Sequence, residues 1–278
     1  MSGLVDVMLI GAQKSGTTAL AQHLASHPGI CLSREKEPAY FNTNEDWRAG
    51  LRDYHALFGS DPDQLWLEAS TMYTFLPEFG GTHERIAAYN PDVKLVYVMR
   101  DPVERMLSNY AFRRVRRLTS DPPEVALLTD PTFVNRSRYG MQLRPYFETF
   151  PAEQVHLMVF EEHLADPERS LKEVAGFLGI SADEFGPAEA TTRHASTGEP
   201  RLSDRGRRLK QHEVSSRVIG TLPAPVRRFA GRWFRTTLER KPEVSADFRA
   251  RLHRLVEDDV AQVEEWLGRP VDAWSRRS

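Results

Sequence analysis

The sequence predicts an α/β fold of three layers, P-loop-like, in which a central, mainly parallel sheet is flanked by helices. Two observations carry that expectation. Short runs rich in Val, Ile and Leu alternate with longer segments at helical spacing, as in a sheet buried on both faces. The first run also passes directly into a glycine-containing turn that opens a helix, the order required of a phosphate loop.

In chain order, Val5 to Ile10 reads as the first strand and Thr18 to His27 as the helix after it. His27-Pro28-Gly29 ends that helix, because proline restricts the residue before it and glycine frees the turn. Ile30 to Leu32, Leu65 to Leu67 and Leu95 to Met99 read as the next strands. Pro102 to Arg117 then forms a helix: Asp101 caps it, Pro102 occupies the first position where no amide bond is lost, and Glu104 is placed to reach back. Val155 to Phe160 is the fifth strand, and Asp166-Pro167 repeats the capped start for a helix to Leu178. Phe248 to Leu267 sets Leu252, Leu255, Val256, Val260, Val263 and Leu267 on one side and acidic residues on the other. One amphipathic helix packed on the core is expected there.

The chain has 278 residues with 37 Lys+Arg against 39 Asp+Glu, a near-neutral balance that argues against general coating of nucleic acid. That length supports one domain, 1–278, without staples. Cys31 is the only cysteine, so neither a disulfide framework nor a thiolate metal cluster is expected. With no basic leader and no run of about 20 apolar residues, the expectation is a cytoplasmic protein. Arg201 to Lys241 holds twelve basic against three acidic residues. This basic segment, 201–245, suits a solvated face, a lid over an acceptor pocket, or contact with an anionic membrane surface, and 246–278 returns to the core.

The strongest motif is GAQKSGTT, Gly11 to Thr18. Small residues let backbone amides turn toward an anion, a helix N-terminus adds positive potential, and hydroxyls and an ammonium complete the cradle. Aligned with the Walker pattern, Thr17 stands where the lysine belongs and Lys14 lies two positions before the second glycine. A lysine inside the loop sits against a 5′ phosphate and whatever leaves from it, rather than reaching for β and γ phosphates with a metal.

These residues resemble the 5′-phosphosulfate loop of sulfotransferases that use 3′-phosphoadenosine 5′-phosphosulfate (PAPS). The segment Leu95 to Tyr110 resembles that family's 3′-phosphate motif, with Arg100 leaving a strand and Ser108 on the next helix. Alone, it would also read as a capped helix with an Arg100–Glu104 ion pair. Ser33 to Phe41 is similar to the loop after the second strand in the carbohydrate (heparan sulfate) branch, where a glutamate is the base; Glu37 falls on that position. Leu67 to Tyr73 resembles a glutamate-threonine-proline-tyrosine segment and Asn135 to Tyr139 a serine-tyrosine segment. Ala195 to Arg201 resembles a loop closing over the nucleotide, and Trp274 a closing tryptophan. Ala69, Thr71 and Ala39 replace a lysine, a proline and a histidine of some carbohydrate members.

The resemblance implies sulfuryl transfer from PAPS, with no metal required, to a hydroxyl of a small molecule, natural product or carbohydrate. It implies Lys14 on the leaving group and Glu37 as base. The donor site would comprise Gly11, Lys14, Ser15, Gly16, Thr17, Thr18, Arg100, Ser108, Gly198 and Arg201. Glu68, Tyr73 and Tyr139 would lie at the acceptor; Glu68 is the rival base, with a structural ion pair the more ordinary role for it. Two other readings remain open: a P-loop kinase and a nucleotide-binding protein without catalysis.

Overall fold

Five strands, all parallel, form the centre of the computed structural model, which describes residues 3–42, 45–186, 201–202, 235–236 and 242–275. They are β1 (Val7–Gly11), β2 (Ile30–Leu32), β3 (Leu65–Ala69), β4 (Lys94–Met99) and β5 (Val155–Val159), in the order β2-β3-β1-β4-β5. All five lie on apolar runs anticipated from sequence. Alternation sorts their side chains. Met8, Ile10, Leu95, Tyr97 and Met99 enter one core cluster, and Val7, Leu9, Val96 and Val98 enter another across the sheet, the period-2 pattern of a sheet covered on both faces.

The helices are α1 (Thr17–Leu24), α2 (Leu51–His55), α3 (Thr82–Tyr89), α4 (Pro102–Val115), α5 (Pro123–Thr129), α6 (Pro131–Asn135), α7 (Tyr139–Thr149), α8 (Phe160–Ala165), α9 (Pro167–Leu178), α10 (Ala246–Arg254), α11 (Glu257–Leu267) and α12 (Asp272–Ser275). α1 and α9 cover one face through Leu20, Leu24, Leu171, Val174 and Leu178. α3, α7 and α11 cover the other through Ile86, Tyr89, Tyr139, Leu143, Tyr146 and Val263. No helix among the described residues is long and apolar enough to cross a membrane.

The order of strands decides where a ligand can sit. From β1 the chain moves through α1 to β2 on one side, whereas from β4 it moves through α4 to β5 on the other. The crevice beyond the carboxyl ends of β1 and β4 is therefore the switch point at which open α/β sheets bind ligands. β1 is irregular there: Leu9 pairs with Val96 but Gly11 with Tyr97, so the strand bulges as it enters the loop.

Three local expectations change. The 248–267 segment is two helices rather than one, joined at Leu255 and Val256. Val256 turns into the core while Leu255 is exposed, and the bend lets α10 pack on α4 while α11 reaches α7. Asp259, placed on the polar side by the sequence pattern, is buried; it accepts the Met141 amide at 2.7 Å and the Arg138 Nε at 2.8 Å, capping the start of α7 from another helix. At α4, Asp101 Oδ1 accepts the Glu104 amide at 2.8 Å as expected, but the Asp101 amide donates to Glu161 Oε1 at 3.1 Å. The Glu104 carboxylate instead accepts from Arg249 at 2.9 Å. The backbone of Arg201–Leu202 (β6) pairs antiparallel with Arg235–Thr236 (β7).

Candidate active site

The loop from Gly11 to Thr17 leaves β1 through contacts that leave no room for a side chain. A Cβ on Gly11 would lie 2.2 Å from Tyr97 Cε2 and 2.5 Å from Thr74 Oγ1. Gly16 has φ +87°, and a Cβ there would meet the Phe160 ring at 2.5 Å, so this position requires glycine both for conformation and for space. Lys14 adopts φ +75° although it bears a side chain. Ser15 is fully buried with its hydroxyl beside the Tyr139 phenol, Thr17 is buried at the first turn of α1, and Thr18 is partly exposed beside it. The Lys14 Nζ lies 4.6 Å from the centre of the Phe112 ring, a cation–π contact.

Across the crevice, the peptide at Arg100 is fixed by Tyr139. The phenol donates to the Arg100 carbonyl at 2.7 Å and accepts from its amide at 3.3 Å. The Arg100 guanidinium faces the Phe160 ring at 5.2 Å and lies 3.7 Å from Glu104, and its buried Nε makes no hydrogen bond. The ion pair that the bare sequence allowed is thus present, yet it leaves donor capacity unused. Ser108 is buried two turns along α4, and Phe112 is one turn further, which puts both on one helix face.

Glu37 stands in the loop after β2 at φ +54°, followed by Ala39 at φ +48°. Thr71 Oγ1 donates to Glu37 Oε2 at 3.2 Å. In the same turn after β3, Thr74 Oγ1 donates to the Ile10 carbonyl at 2.9 Å. One turn therefore touches both Glu37 and the strand end that feeds the phosphate loop. Below it, fully buried Glu68 accepts from Tyr54 and from Ser70 Oγ, and Ser70 Oγ accepts the Ala39 amide at 2.9 Å. Burial raises the Glu68 carboxyl above its usual value while hydrogen bonds from Ser70, Tyr54 and Tyr73 pull it back. The ion pair anticipated for Glu68 is replaced by a cluster of hydroxyls.

Glu68, Tyr73 and Tyr139 were expected at the acceptor; all three are buried with polar ends turned to protein groups. Glu68 backs the loop that carries Glu37 through Ser70, and Tyr139 holds the backbone of Arg100. Gly198 lies outside the described residues, and Arg201 is described only through its backbone in β6. Among the described residues no three His, Cys, Asp or Glu side chains are grouped to hold a metal ion.

With this geometry in place, comparison with known proteins is decisive at the level of family: the model of the sulfotransferase domain matches residues 4–205. The chain belongs to the sulfotransferase family. It is 27% identical over 190 residues to mouse (Mus musculus) heparan sulfate glucosamine 3-O-sulfotransferase 5, covering 64% of this chain and 54% of that protein. Against mouse heparan sulfate glucosamine 3-O-sulfotransferase 3A1 the identity is 30% over 192 residues, covering 64% and 46%. The chain thus spans about half the length of the curated relatives it matches. The crystal structure of a sulfotransferase from Alicyclobacillus acidocaldarius superposes with a TM-score of 0.69 at 22% identity, over 98% of both chains, and so shares the fold.

The structure of this sulfotransferase also brings in residues the sequence did not single out. Arg105 is fully buried and donates to Ser137 Oγ at 2.5 Å, to the Phe133 carbonyl at 2.6 Å and to the Gln13 carbonyl in the phosphate loop at 3.5 Å. Arg136 reaches the Gln13 side chain at 3.4 Å, pairs with Glu78 at 2.5 Å and covers the Phe75 ring at 3.7 Å. Arg116 flanks the Phe112 ring at 4.3 Å. An arginine on an exposed-looking helical segment gives no local signal of burial, and only the packing of α6 against α4 reveals it.

Proposed function

We propose that this sulfotransferase moves the sulfuryl group of PAPS to a hydroxyl of a carbohydrate acceptor, releasing adenosine 3′,5′-bisphosphate. The observation that carries this is the lysine inside the loop. Lys14 lies within the turn between β1 and α1, beside the amides of Ser15 and Gly16 and the hydroxyls of Thr17 and Thr18. There a cation neutralises charge developing on a departing 5′ phosphate. The donor set suits a dianion: a buried Ser15 hydroxyl at the α1 start, and an Arg100 guanidinium with an unused Nε at the α4 start. In this reading Arg100 and Ser108 take the 3′ phosphate, with Gly198 and Arg201 closing over the nucleotide. PAPS supplies the activated sulfuryl group.

Glu37 accepts the proton of the acceptor hydroxyl as its oxygen bonds to sulfur and the bond from sulfur to the phosphate oxygen breaks. The hydrogen bond from Thr71 orients the carboxylate. A carbohydrate acceptor is supported by the two relatives, both named for a glucosamine of heparan sulfate. The test is incubation with PAPS and a panel of glycans, phenols, lipids and natural-product alcohols, with mass detection of an added sulfo group. Sulfated glycan is the expected result. Sulfation confined to another class would overturn the acceptor assignment, Mg²⁺-dependent ATP turnover without sulfation would favour a kinase, and tight bisphosphate binding with no product would leave only nucleotide binding.

A further inference from the structure

Arg105 is a full positive charge placed where its desolvation is most costly. Its side chain is completely buried, and among the described residues no carboxylate pairs with it. Its electrostatic neighbours are the hydroxyls of Tyr139 and Tyr97 and the like charge of Arg136. Burial pushes its pKa down to about 10, so it stays protonated at neutral pH. An unpaired buried cation is destabilising unless its hydrogen bonds and a counter-charge compensate it. Two of its donors meet α6 and the α6–α7 connection, at Phe133 and Ser137, and Ser137 is tied in turn to the Pro102 carbonyl at 3.1 Å. The third points at the Gln13 carbonyl of the phosphate loop.

The direction of that carbonyl matters. In a trans peptide the C=O of one residue and the N–H of the next point in opposite directions. Drawing the Gln13 carbonyl toward Arg105 therefore turns the Lys14 amide to the side of that peptide opposite Arg105. Gln13 is gripped a second time by Arg136 through its side chain. The left-handed backbone at Lys14 and Gly16 continues the turn, and the Ser15 amide is held inside it by the Ala12 carbonyl at 3.2 Å.

We propose that Arg105 is a positioning residue for the donor: it sets the Lys14 amide toward the 5′ phosphate end of the nucleotide and has its own charge balanced when that anion binds. The inference rests on the PAPS reading and is tested apart from it. Binding of adenosine 3′,5′-bisphosphate and of adenosine 3′-monophosphate, which lacks the 5′ group, is measured by calorimetry for wild type, Arg105→Gln and Arg105→Lys. Failure of wild type to bind the bisphosphate contradicts the PAPS reading itself. If wild type binds, Arg105→Gln is expected to lose affinity for the bisphosphate by about tenfold or more, while affinity for the 3′-monophosphate changes little. Arg105→Lys should fall between wild type and Arg105→Gln.

A purely structural role would weaken both ligands alike, and that result, or unchanged bisphosphate affinity, overturns the proposal. Should Arg105→Gln not fold, the same ratio of affinities is read in Arg105→Lys and in Ser137→Ala, which keeps the charge but frees its Nε. Selective loss for the bisphosphate supports the role, and parallel loss or none rejects it.

Discussion

Two of the four non-glycine residues with left-handed backbone among the described residues are Lys14 and Glu37, the pair proposed for the chemistry. A side chain there costs roughly 1–2 kcal/mol, and such strain persists only where its surroundings enforce it. At Glu37 the enforcing contacts are the Thr71 hydroxyl on its carboxylate and the Ser70 hydroxyl on the Ala39 amide, backed by buried Glu68. Glu37→Gly separates conformation from chemistry. Relief of the left-handed strain offsets the extra entropy that glycine loses, about 0.5–1 kcal/mol, so the melting temperature should be close to that of wild type. Transfer should fall on the order of 10²- to 10⁴-fold with the base removed. A melting curve beside a turnover assay checks both, and retained turnover would place the base elsewhere. Glu37 and Lys14 were legible in the sequence because each stands just past a recognisable strand. Their strain was not, since nothing in a Lys or Glu letter announces φ above zero.

Capping explains which elements were legible. Asp101-Pro102 and Asp166-Pro167 announce α4 and α9, and both aspartates accept a helix amide, from Glu104 and from Arg169. α7 carries no such sign: Arg138 precedes it without capping, and Pro145 lies inside it, which breaks a helical pattern. Its cap comes from Asp259, more than a hundred residues later. A long-range cap cannot be read locally, and the same contact explains why an acidic residue of α11 is buried. Asp259→Ala should therefore destabilise the protein by about 1–2 kcal/mol through the α7 start, measured as a lower midpoint in urea. An unchanged midpoint would mean that the cap contributes nothing. Because α7 begins at Tyr139, whose phenol holds both polar groups of the Arg100 peptide, the variant should also weaken binding of the bisphosphate.

For the molecule as a whole, the sheet order gathers into one crevice loops that the sequence leaves apart: the phosphate loop after β1, Glu37 after β2, the Thr71–Thr74 turn after β3 and Arg100 after β4. The parallel strands, and the two corners proposed to bind anions, are legible in the sequence; their adjacency needed the topology. Histidines on α1, β5 and α8 govern acid stability. Burial lowers the pKa values of His23, His156 and His163 below 6.5, and His23 and His163 oppose each other's charge. The unfolded chain protonates first, so their contribution is complete above about pH 6.5 and is lost as pH falls through that value toward the lower folded ones. Relief of the raised Asp6 and Glu68 carboxyls on protonation acts in the opposite sense. The melting temperature should fall from about pH 7.5 to about 5.5, and less steeply in a His23→Gln/His163→Gln variant; an equal slope would remove these groups from the account.

Whether the loop lysine acts on the group leaving sulfur is read in single-turnover transfer from PAPS, with chelator present, by wild type and Lys14→Ala. Sulfated product is expected from wild type, with a rate lower on the order of 10²- to 10³-fold in the variant and both proteins unfolding at the same temperature. Equal rates, or no sulfated product from wild type, would contradict that role.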